Sequence, residues 1–331
     1  MNITVFGAGA WGTAMALYCR RIGHNVTLVP KFADQAEIML NKRENVDFLP
    51  GIPLPEDIKI TVAVEPALKS AEVVFIGCPS VGLVDLCNDI KEASEKTGSY
   101  PFLISLCKGI QSASLETASV VIKNILPRFK FGVLSGPTNA KEVALDFPAA
   151  MVLAVDSGDA QSLQKALASS SMRIYTNNDV LGVELAGCLK NVYAIGAGAC
   201  DGLKLGDNAK AAYLTRALRE MISIGCALGG ARETFYGLSG FGDFVATCMG
   251  AWSRNRTFGS RVGAGESVEE IFKTQKAAVE GYQTSRAFYN ICKERGIDVP
   301  IIGAIYAVLY EGQNIRNVVD ALFNRPLKSE L

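Results

Sequence analysis

Continuous apolar runs alternate with helix-like segments through the first half of the chain. Such continuous runs are typical of strands buried on both faces of a parallel sheet. Because helical segments separate the runs, the pattern predicts an α/β fold with a doubly wound, mostly parallel sheet. The predicted strands are residues 3–6, 24–29, 58–62, 73–77, 102–106, 131–134 and 150–155.

The pattern changes beyond Tyr175. Apolar positions there recur with the 3.6-residue period of amphipathic helices, and only short breaks containing Gly or Asn separate the segments. A chain of 331 residues is long enough for two domains. The sequence therefore predicts an α/β domain over residues 1–176 and an all-helical C-terminal domain over residues 177–331.

A glycine-rich turn joins the first predicted strand to the first predicted helix. Gly7, Gly9 and Gly12 have the spacing GxGxxG directly after residues 3–6. In such a turn the first glycine permits the tight bend, the second lets the backbone approach a pyrophosphate, and the third lets the helix pack on the strand. The context predicts a Rossmann-type dinucleotide-binding domain, followed by a helical substrate-binding domain. An ordinary turn between two packed elements is the alternative.

The end of the second predicted strand bears on which nicotinamide dinucleotide would bind. An acidic residue about 20 residues beyond the glycines commonly accepts hydrogen bonds from the ribose 2′-hydroxyl of NAD(H). Here the strand ends in Pro30, Lys31 and Phe32. A cation suits a 2′-phosphate, so NADP(H) is favoured over NAD(H). Asp34 is close enough in the sequence that binding of NAD(H) remains an alternative. The alternative interpretation of Lys31 is a solvated loop lysine.

Composition and charge exclude several classes of function. The net charge is zero with both signs interspersed, so no nucleic-acid-binding or membrane-binding surface is expected. Nine cysteines without a CxxC motif and a single histidine, His24, predict neither a disulfide framework nor a metal site. A predicted strand at the very start of the chain leaves no room for a signal peptide, and no apolar stretch is long enough to span a membrane. We expect a cytoplasmic protein.

Polar groups follow three of the predicted strands, where parallel sheets bind ligands. These turns are residues 78–80, 107–109 and 135–141. Lys108 brings a cation to this edge of the sheet, and Gly109 would allow a close approach. A solvated loop lysine remains the alternative.

Lys190 lies in the most apolar segment of the helical half, residues 183–198. A helix that is apolar on all sides is a buried helix, and a buried lysine is rare unless it is paired. Burial and a nearby carboxylate shift a lysine pKa in opposite directions, so such a group can be tuned to give or take a proton. Snorkelling of the amine to water is the alternative. Gly187, Gly196 and Gly198 disfavour a helix, and we expect close packing against the cofactor domain to compensate.

Two later segments could complete a site with Lys190. Asp243 and Thr247 are four residues apart, which puts them on one face of a helix and makes Asp243 a candidate partner for the lysine. Ser253 and Arg254 look like a helix cap followed by a basic first turn. Cations there oppose the helix dipole, which suggests an anionic ligand. A capped surface helix with exposed arginines is the alternative.

Seven ordered blocks resemble one known family over essentially the whole chain. They are GAGAWGTA at 7–14, CKGI at 107–110, SGPTNAKEV at 135–143, LKNVYAIGAG at 189–198, GFGDFVAT at 240–247, SRNR at 253–256 and VEGYQT at 279–284. The chain resembles the NAD(P)-dependent glycerol-3-phosphate dehydrogenases of bacterial type. The 6-phosphogluconate dehydrogenases share the first block and a helical second domain, but are not expected to carry the whole set.

The resemblance implies interconversion of dihydroxyacetone phosphate and sn-glycerol 3-phosphate, which supplies phospholipid synthesis. It implies that Lys190 is the proton donor or acceptor, that Asp243 orients it, and that Lys108 contacts substrate and cofactor. The implied substrate-binding residues are Lys108, Gly136, Thr138, Lys190, Asn191, Asp243, Thr247, Ser253, Arg254 and Asn255. The implied cofactor-binding residues, which add to Gly7, Gly9 and Gly12, are Ala10, Trp11, Lys31, Lys108, Ala140, Arg254, Ala278 and Glu280.

The chain departs from the family pattern near the expected adenosine site and at two turns. Val29, Pro30 and Lys31 stand where many members have Trp and then Arg, and Cys78 and Cys107 replace a common Val and Thr. These changes put the cofactor preference in doubt and leave the proposed reaction groups intact. A different 2-oxo-acid or sugar-acid reductase of the 6-phosphogluconate dehydrogenase architecture, or a non-catalytic nicotinamide sensor, remains as an alternative. The apolar helical domain favours a homodimer.

Overall fold

The structure is a computed structural model that describes residues 1–111, 116–156, 158, 160–274, 278–327 and 329–330. The chain divides into two units. The first, here the sheet unit, comprises Met1–Glu184 and Gly237–Ser239, and the second, the helical unit, comprises Leu185–Tyr236 and Gly240–Leu331.

The sheet unit contains one eight-stranded sheet. Its strands are β1 Asn2–Phe6, β2 Asn25–Val29, β3 Lys59–Ile60, β4 Val73–Ile76, β5 Phe102–Ser105, β6 Phe131–Ser135, β7 Ala149–Val155 and β8 Met172–Asn177. The spatial order is β3-β2-β1-β4-β5-β6-β7-β8, and every neighbouring pair is parallel except β6 with β7. The carboxyl ends of β1, β4, β5 and β6 therefore lie along one edge.

Among the described residues, seven helices lie wholly within the sheet unit. They are α1 Ala10–Arg21, α2 Ala33–Lys42, α3 Val64–Lys69, α4 Leu83–Thr97, α5 Ala118–Ile125, α6 Ala140–Ala144 and α7 Ala160–Leu167, with a 3-10 turn at Ser80–Gly82. Val5 and Phe75 point into a core that includes Met15 of α1, whereas Val74 and Ile76 point into a core that includes Ile90 of α4. Both faces of the central strands are thus buried, which explains why their sequences are mostly apolar.

All seven apolar runs predicted to be strands contain strands, and the eighth strand was missed. β8 carries buried Met172 and Ile174 in alternation with exposed Arg173 and Tyr175. It pairs only with β7, at the end of the sheet, so one of its faces meets solvent. The resulting mixed pattern lacks the continuous apolar character on which the other predictions depended.

The helical unit contains helices and no strand among its described residues. They are α8 Val180–Gly202, which begins in the sheet unit, α9 Asp207–Ala227, α10 Asp243–Met249, α11 Arg254–Gly263, α12 Val268–Thr274, α13 Glu280–Glu294, α14 Pro300–Tyr310 and α15 Ile315–Phe323. A 3-10 turn at Arg232–Tyr236 and a π turn at Leu238–Gly242 precede α10. The predicted fold class, a Rossmann-type sheet followed by a helical domain, is confirmed.

α8 is the core helix of the helical unit. Among the described residues it is the one helix long and apolar enough to cross a membrane, but 94% of its most apolar window is buried inside the protein. A Cβ on Gly196 would collide with the ring of Tyr213 on α9, and one on Gly198 would collide with the carbonyl oxygen of Arg256 on α11. The expectation that these glycines pack against the cofactor domain is therefore wrong. They let neighbouring helices of the same unit approach α8.

Candidate active site

The turn after β1 has the backbone geometry that a dinucleotide pyrophosphate requires. Gly7 has φ +101°, and a Cβ on it would lie 2.7 Å from the carbonyl carbon of Gly77, which follows β4. A Cβ on Gly12 would collide with the carbonyl oxygen of Gly7, so the helix packs directly on the turn. Apart from its chain neighbours, no atom of the described residues lies within 4 Å of a Cβ built on Gly9. Gly7 thus makes the tight bend and Gly12 the close packing predicted from their spacing, and the space at Gly9 is compatible with the approach of a ligand.

The amino end of α1 fits the charge of a pyrophosphate. Gly9 caps the helix without a side-chain hydrogen bond, and the first turn contains no acidic residue. The first hydrogen bond of the helix runs from the Thr13 N–H to the Gly9 oxygen at 2.9 Å, so the N–H groups of Ala10, Trp11 and Gly12 precede it. Such N–H groups, with the positive end of the helix dipole, form an anion site.

Lys31 lies just after β2 and is exposed. Its Nζ is 3.8 Å from the Oδ2 of Asp85, and the two side chains are 62% and 73% exposed. The same amine lies 5.9 Å from the ring centroid of Phe32. An exposed ion pair of this length contributes little free energy, so it would not prevent the lysine from turning toward a phosphate.

Lys108 is half-buried at the carboxyl edge of the sheet, and it is not a solvated loop lysine. Its Nζ donates to the carbonyl oxygen of Gly136 at 3.1 Å, and the Thr138 Oγ1 donates to the same oxygen at 3.1 Å. The Oγ of Ser105 accepts a hydrogen bond of 3.2 Å from the N–H of Cys107, which fixes the turn that carries the lysine. The ends of β5 and β6 therefore bring three implied site residues together, and Ala140 begins α6 just beyond them.

Lys190 forms a buried ion pair with Asp243 inside the helical unit. The Nζ of Lys190 lies 2.7 Å from the Oδ1 of Asp243 and donates to the Oγ1 of Thr247 at 2.8 Å. The side chains of the lysine and the aspartate are only 5% and 0% exposed. Since Asp243 and Thr247 are one turn apart on α10, both can reach the same ammonium from one helix face. The pairing predicted from sequence is present, and the snorkelling alternative is wrong.

A second polar network lies one residue further along α8. The Oδ1 of Asn191 accepts from Asn255 Nδ2 at 3.0 Å, and Asn191 Nδ2 donates to Glu280 Oε2 at 3.3 Å. The Oδ1 of Asn255 accepts from the N–H of Gly281 at 3.0 Å. The middle of α8 is thereby joined to the amino ends of α11 and α13. Ala278, which is exposed, lies two residues before α13.

The start of α11 distinguishes two arginines of the SRNR block. Ser253 caps the helix, because its Oγ accepts from the N–H of Arg256 at 3.2 Å. The guanidinium of Arg256 donates to Asp201 Oδ2 at 2.7 Å, so a carboxylate of the same unit holds it. Arg254 is exposed, and no hydrogen bond or ion pair joins it to the described residues. The predicted cap is present, and Arg254 is the arginine of the pair with its charge available to a ligand.

Comparison with known proteins places the chain in a family. The family described as NAD-dependent glycerol-3-phosphate dehydrogenase matches at its N-terminus over residues 2–161 and at its C-terminus over residues 179–320. A relative from Thermoanaerobacter sp. (strain X514), named glycerol-3-phosphate dehydrogenase (NAD(P)+), is 40% identical over 332 residues, which covers 100% of this chain and 99% of the relative. The chain belongs to the NAD-dependent glycerol-3-phosphate dehydrogenase family.

Two further comparisons agree with this family assignment. A Salinibacter ruber relative named glycerol-3-phosphate dehydrogenase (NAD(P)+) 1 is 38% identical and covers 99% of this chain and 97% of its own length. The crystal structure of glycerol-3-phosphate dehydrogenase from Coxiella burnetii superposes with a TM-score of 0.92 at 33% identity, covering 98% of this chain and 99% of that one. The family resemblance inferred from the seven blocks is confirmed.

Each unit of this glycerol-3-phosphate dehydrogenase family member gathers its own set of implied residues. The sheet unit holds the glycine turn together with Lys108, Gly136, Thr138 and Ala140, whereas the helical unit holds Lys190, Asn191, Asp243, Thr247, Ser253, Arg254, Asn255 and Glu280. Sequence reasoning missed Gly77, which the first glycine contacts, and Ser105, which supports the Lys108 turn. Gly77 follows β4 and Ser105 ends β5, so their positions at the carboxyl ends of strands were the signal from which they could have been found.

Proposed function

We propose that this protein interconverts dihydroxyacetone phosphate and sn-glycerol 3-phosphate with a nicotinamide dinucleotide. Family membership supports the reaction, and the buried contact of 2.7 Å between Lys190 and Asp243 is the observation that carries the assignment of chemistry. Lys190 is buried and paired with a carboxylate, which supports its role as the proton-transfer group for reduction of a ketone to an alcohol. The reaction consumes one hydride and one proton for each ketone reduced.

The glycine turn and the amino end of α1 would hold the cofactor. The observations that fit a dinucleotide are the Gly7 bend, the close approach at Gly12 and the uncapped first turn after Gly9. The bound cofactor would supply or accept the hydride. We assign cofactor binding to residues 1–176 and substrate binding to residues 177–331.

Lys190 acts on the ketone oxygen of the substrate. In the reducing direction its ammonium donates a proton to this oxygen as negative charge develops there, and in the oxidising direction its amine takes the proton back. Asp243 and Thr247 hold the Nζ of Lys190 at 2.7 and 2.8 Å, so the amine cannot rotate away into solvent. The positive charge of Lys108 adds electrostatic stabilisation of the developing alkoxide.

Arg254 is the group best suited to the substrate phosphate. It is exposed at the amino end of α11, where the helix dipole also favours an anion, and a guanidinium can bind phosphate with two parallel hydrogen bonds. Asn191 and Asn255 would bind the hydroxyl-bearing part of the substrate. Ser253 supports this end of the helix through its cap.

The decisive experiment follows oxidation of NADPH, and separately of NADH, after addition of dihydroxyacetone phosphate. We expect turnover with the wild type and loss of turnover in Lys190→Ala. Lys210→Ala is the matched control, because Lys210 also lies in the helical unit and also pairs with an aspartate, Asp201, at 2.7 Å. Cofactor binding without oxidation by the wild type would refute the substrate assignment, and a panel of 2-oxo acids and sugar acids would then test the alternative reductase.

The proposal also includes the cofactor preference, the cellular role and the oligomeric state of the enzyme. Lys31 supports a preference for NADP(H) over NAD(H), which equal kcat/KM values for the two cofactors would contradict. The product would serve phospholipid synthesis in the cytoplasm, and expression should restore growth of a bacterium that requires glycerol 3-phosphate. We also propose a homodimer with no nucleic-acid partner, so light scattering should give twice the chain mass of 35.3 kDa.

A further inference from the structure

One buried hydroxyl at the edge of the sheet has no partner within the protein. Among the described residues, the buried side-chain polar atoms without a hydrogen-bond partner are the Oγ of Ser135 and the Nε1 of Trp11. Ser135 is only 3% exposed. Buried polar groups are almost always hydrogen-bonded because an unpaired one costs free energy. The exception at Ser135 therefore requires a physical reason.

Ser135 lies at the level of the Lys108 turn. It is the last residue of β6, and the register of β5 with β6 pairs Ser105 with Val133. If this parallel register is continued by two residues on both strands, Ser135 lies beside Cys107, which directly precedes Lys108. The residue after Ser135, Gly136, accepts the hydrogen bond from the Lys108 amine at 3.1 Å. The unpaired hydroxyl is thus adjacent in the chain to the carbonyl group that holds a proposed site lysine.

The neighbours of Ser135 on its own face of the sheet form no hydrogen bond with its hydroxyl. Side chains alternate along β6, so Ser135 shares a face with Val133, which packs with Val152, Ala154 and Val183. All four are apolar. The hydroxyl of Ser105, on the same face, accepts from the N–H of Cys107 and forms no hydrogen bond with the Ser135 hydroxyl. A partner for the Ser135 hydroxyl must therefore come from the carboxyl edge of the sheet, which is where parallel sheets bind ligands.

We propose that Ser135 is a further ligand-binding residue, whose hydroxyl pairs with an uncharged polar group of the bound nicotinamide or of the triose. The inference rests on the proposed function and deepens it, since the family resemblance implied Gly136 and Thr138 but not Ser135. The shared chemistry is a carboxamide or hydroxyl group, to which a serine can donate or from which it can accept a hydrogen bond. Ligand binding then gives the Ser135 hydroxyl a hydrogen-bond partner.

The test compares Ser135→Ala with Ser94→Ala. Ser94 is a matched control because its hydroxyl is also buried in the sheet unit but donates to the Lys91 carbonyl oxygen at 2.8 Å. Three quantities are measured for each variant: the Tm without ligand, the Kd for NADPH from its fluorescence, and the KM for dihydroxyacetone phosphate. We expect Ser135→Ala to keep or raise the Tm and to weaken one of the two binding constants about tenfold. Ser94→Ala should lower the Tm and leave both constants unchanged.

Each outcome has a distinct meaning. A raised Kd for NADPH assigns the hydroxyl to the nicotinamide, whereas a raised KM with an unchanged Kd assigns it to the triose. Wild-type values of both constants in Ser135→Ala overturn the proposal, and so does a fall in Tm like that of Ser94→Ala, which would reveal an internal partner. Failure of the proposed function is separate, because it appears as NADPH binding without turnover in the wild-type protein.

Discussion

Replacing Asp243 alone should destabilise the helical unit far more than replacing Asp243 and Lys190 together. The two charges lie 2.7 Å apart with side chains 0% and 5% exposed, so neither can reach water when the other is removed. Breaking a buried ion pair by removing one partner costs about 3–5 kcal/mol, whereas exchange of both partners for apolar groups of similar size is often nearly neutral. The buried charge that remains unpaired, rather than the lost attraction, dominates the cost.

The structure sets the magnitudes for Asp243→Leu, Lys190→Met and the double variant. Each single substitution should lower the free energy of unfolding by about 3–5 kcal/mol, and the double variant by about 1–2 kcal/mol. Thr247 would lose both side-chain partners, at 2.8 and 3.3 Å, in the double variant. Its hydroxyl can instead donate to the backbone carbonyl four residues earlier, which keeps the residual cost small.

Chemical denaturation measures these values directly in the helical unit. The chain has two tryptophans, and Trp252 is the one in this unit, so a Trp11→Phe background makes the fluorescence report on it alone. Additive costs, with the double variant losing about 6–10 kcal/mol, would refute the argument from unpaired charge. All three variants should lack dehydrogenase activity, which separates the stability of the pair from its catalytic use.

Four further predictions follow from individual contacts. Lys190→Ala should lower kcat by a factor of about 10²–10⁴ while the Kd for NADPH, measured by fluorescence, changes little; a kcat near the wild-type value would contradict the assigned role. Arg254→Ala should raise the KM for dihydroxyacetone phosphate, whereas Arg256→Ala should lower the Tm instead, because only Arg256 pairs with an internal carboxylate; equal effects on KM would contradict the distinction. Lys31→Glu should lower the kcat/KM ratio of NADPH to NADH, and an unchanged ratio would remove Lys31 from cofactor choice. Burial raises the pKa of Glu220 from 4.5 to about 7, so the folded state holds its proton more tightly than the unfolded state, and stability should fall as the pH rises from about 4.5 to about 7; unfolding curves of Glu220→Gln should show a smaller slope than the wild type, because Glu184, whose pKa burial also raises to about 7, keeps its own contribution.

Much of the fold could be predicted because buried strands and glycine turns impose strict local demands. β4 and β5 are covered on both faces, so every residue of β4 and every residue of β5 except Ser105 is apolar, and both strands stand out without any structural knowledge. The spacing of Gly7, Gly9 and Gly12 has a steric cause that acts within a few residues. The pairing of Lys190 was also predictable, since a charge in an otherwise apolar helix needs a partner and the sequence offered Asp243 as a candidate carboxylate.

Features that depend on distant parts of the chain could not be predicted from local sequence. Arg254 and Arg256 look equivalent in the SRNR block. Only the position of Asp201, at the end of α8, shows that Arg256 forms an internal ion pair. The unpaired hydroxyl of Ser135 depends on which side chains share its face of the sheet. The direction of β7, antiparallel to β6, likewise depends on how the chain returns after α6.

The amino ends of α1, α5 and α14 differ in the groups that pair with their free N–H groups. Glu184 accepts hydrogen bonds from the N–H and hydroxyl of Ser119 at the start of α5, and Glu220 accepts from the N–H groups of Ile301 and Ile302 at the start of α14. Both carboxylates are buried, which raises the pKa of each to about 7, yet they provide partners for N–H groups that a helix leaves unpaired. The amino end of α1 has a glycine cap and no acidic residue in its first turn. A buried carboxylate there would repel a pyrophosphate, so the contrast between α1 and the other two helices is the one expected if the cofactor supplies the negative charge.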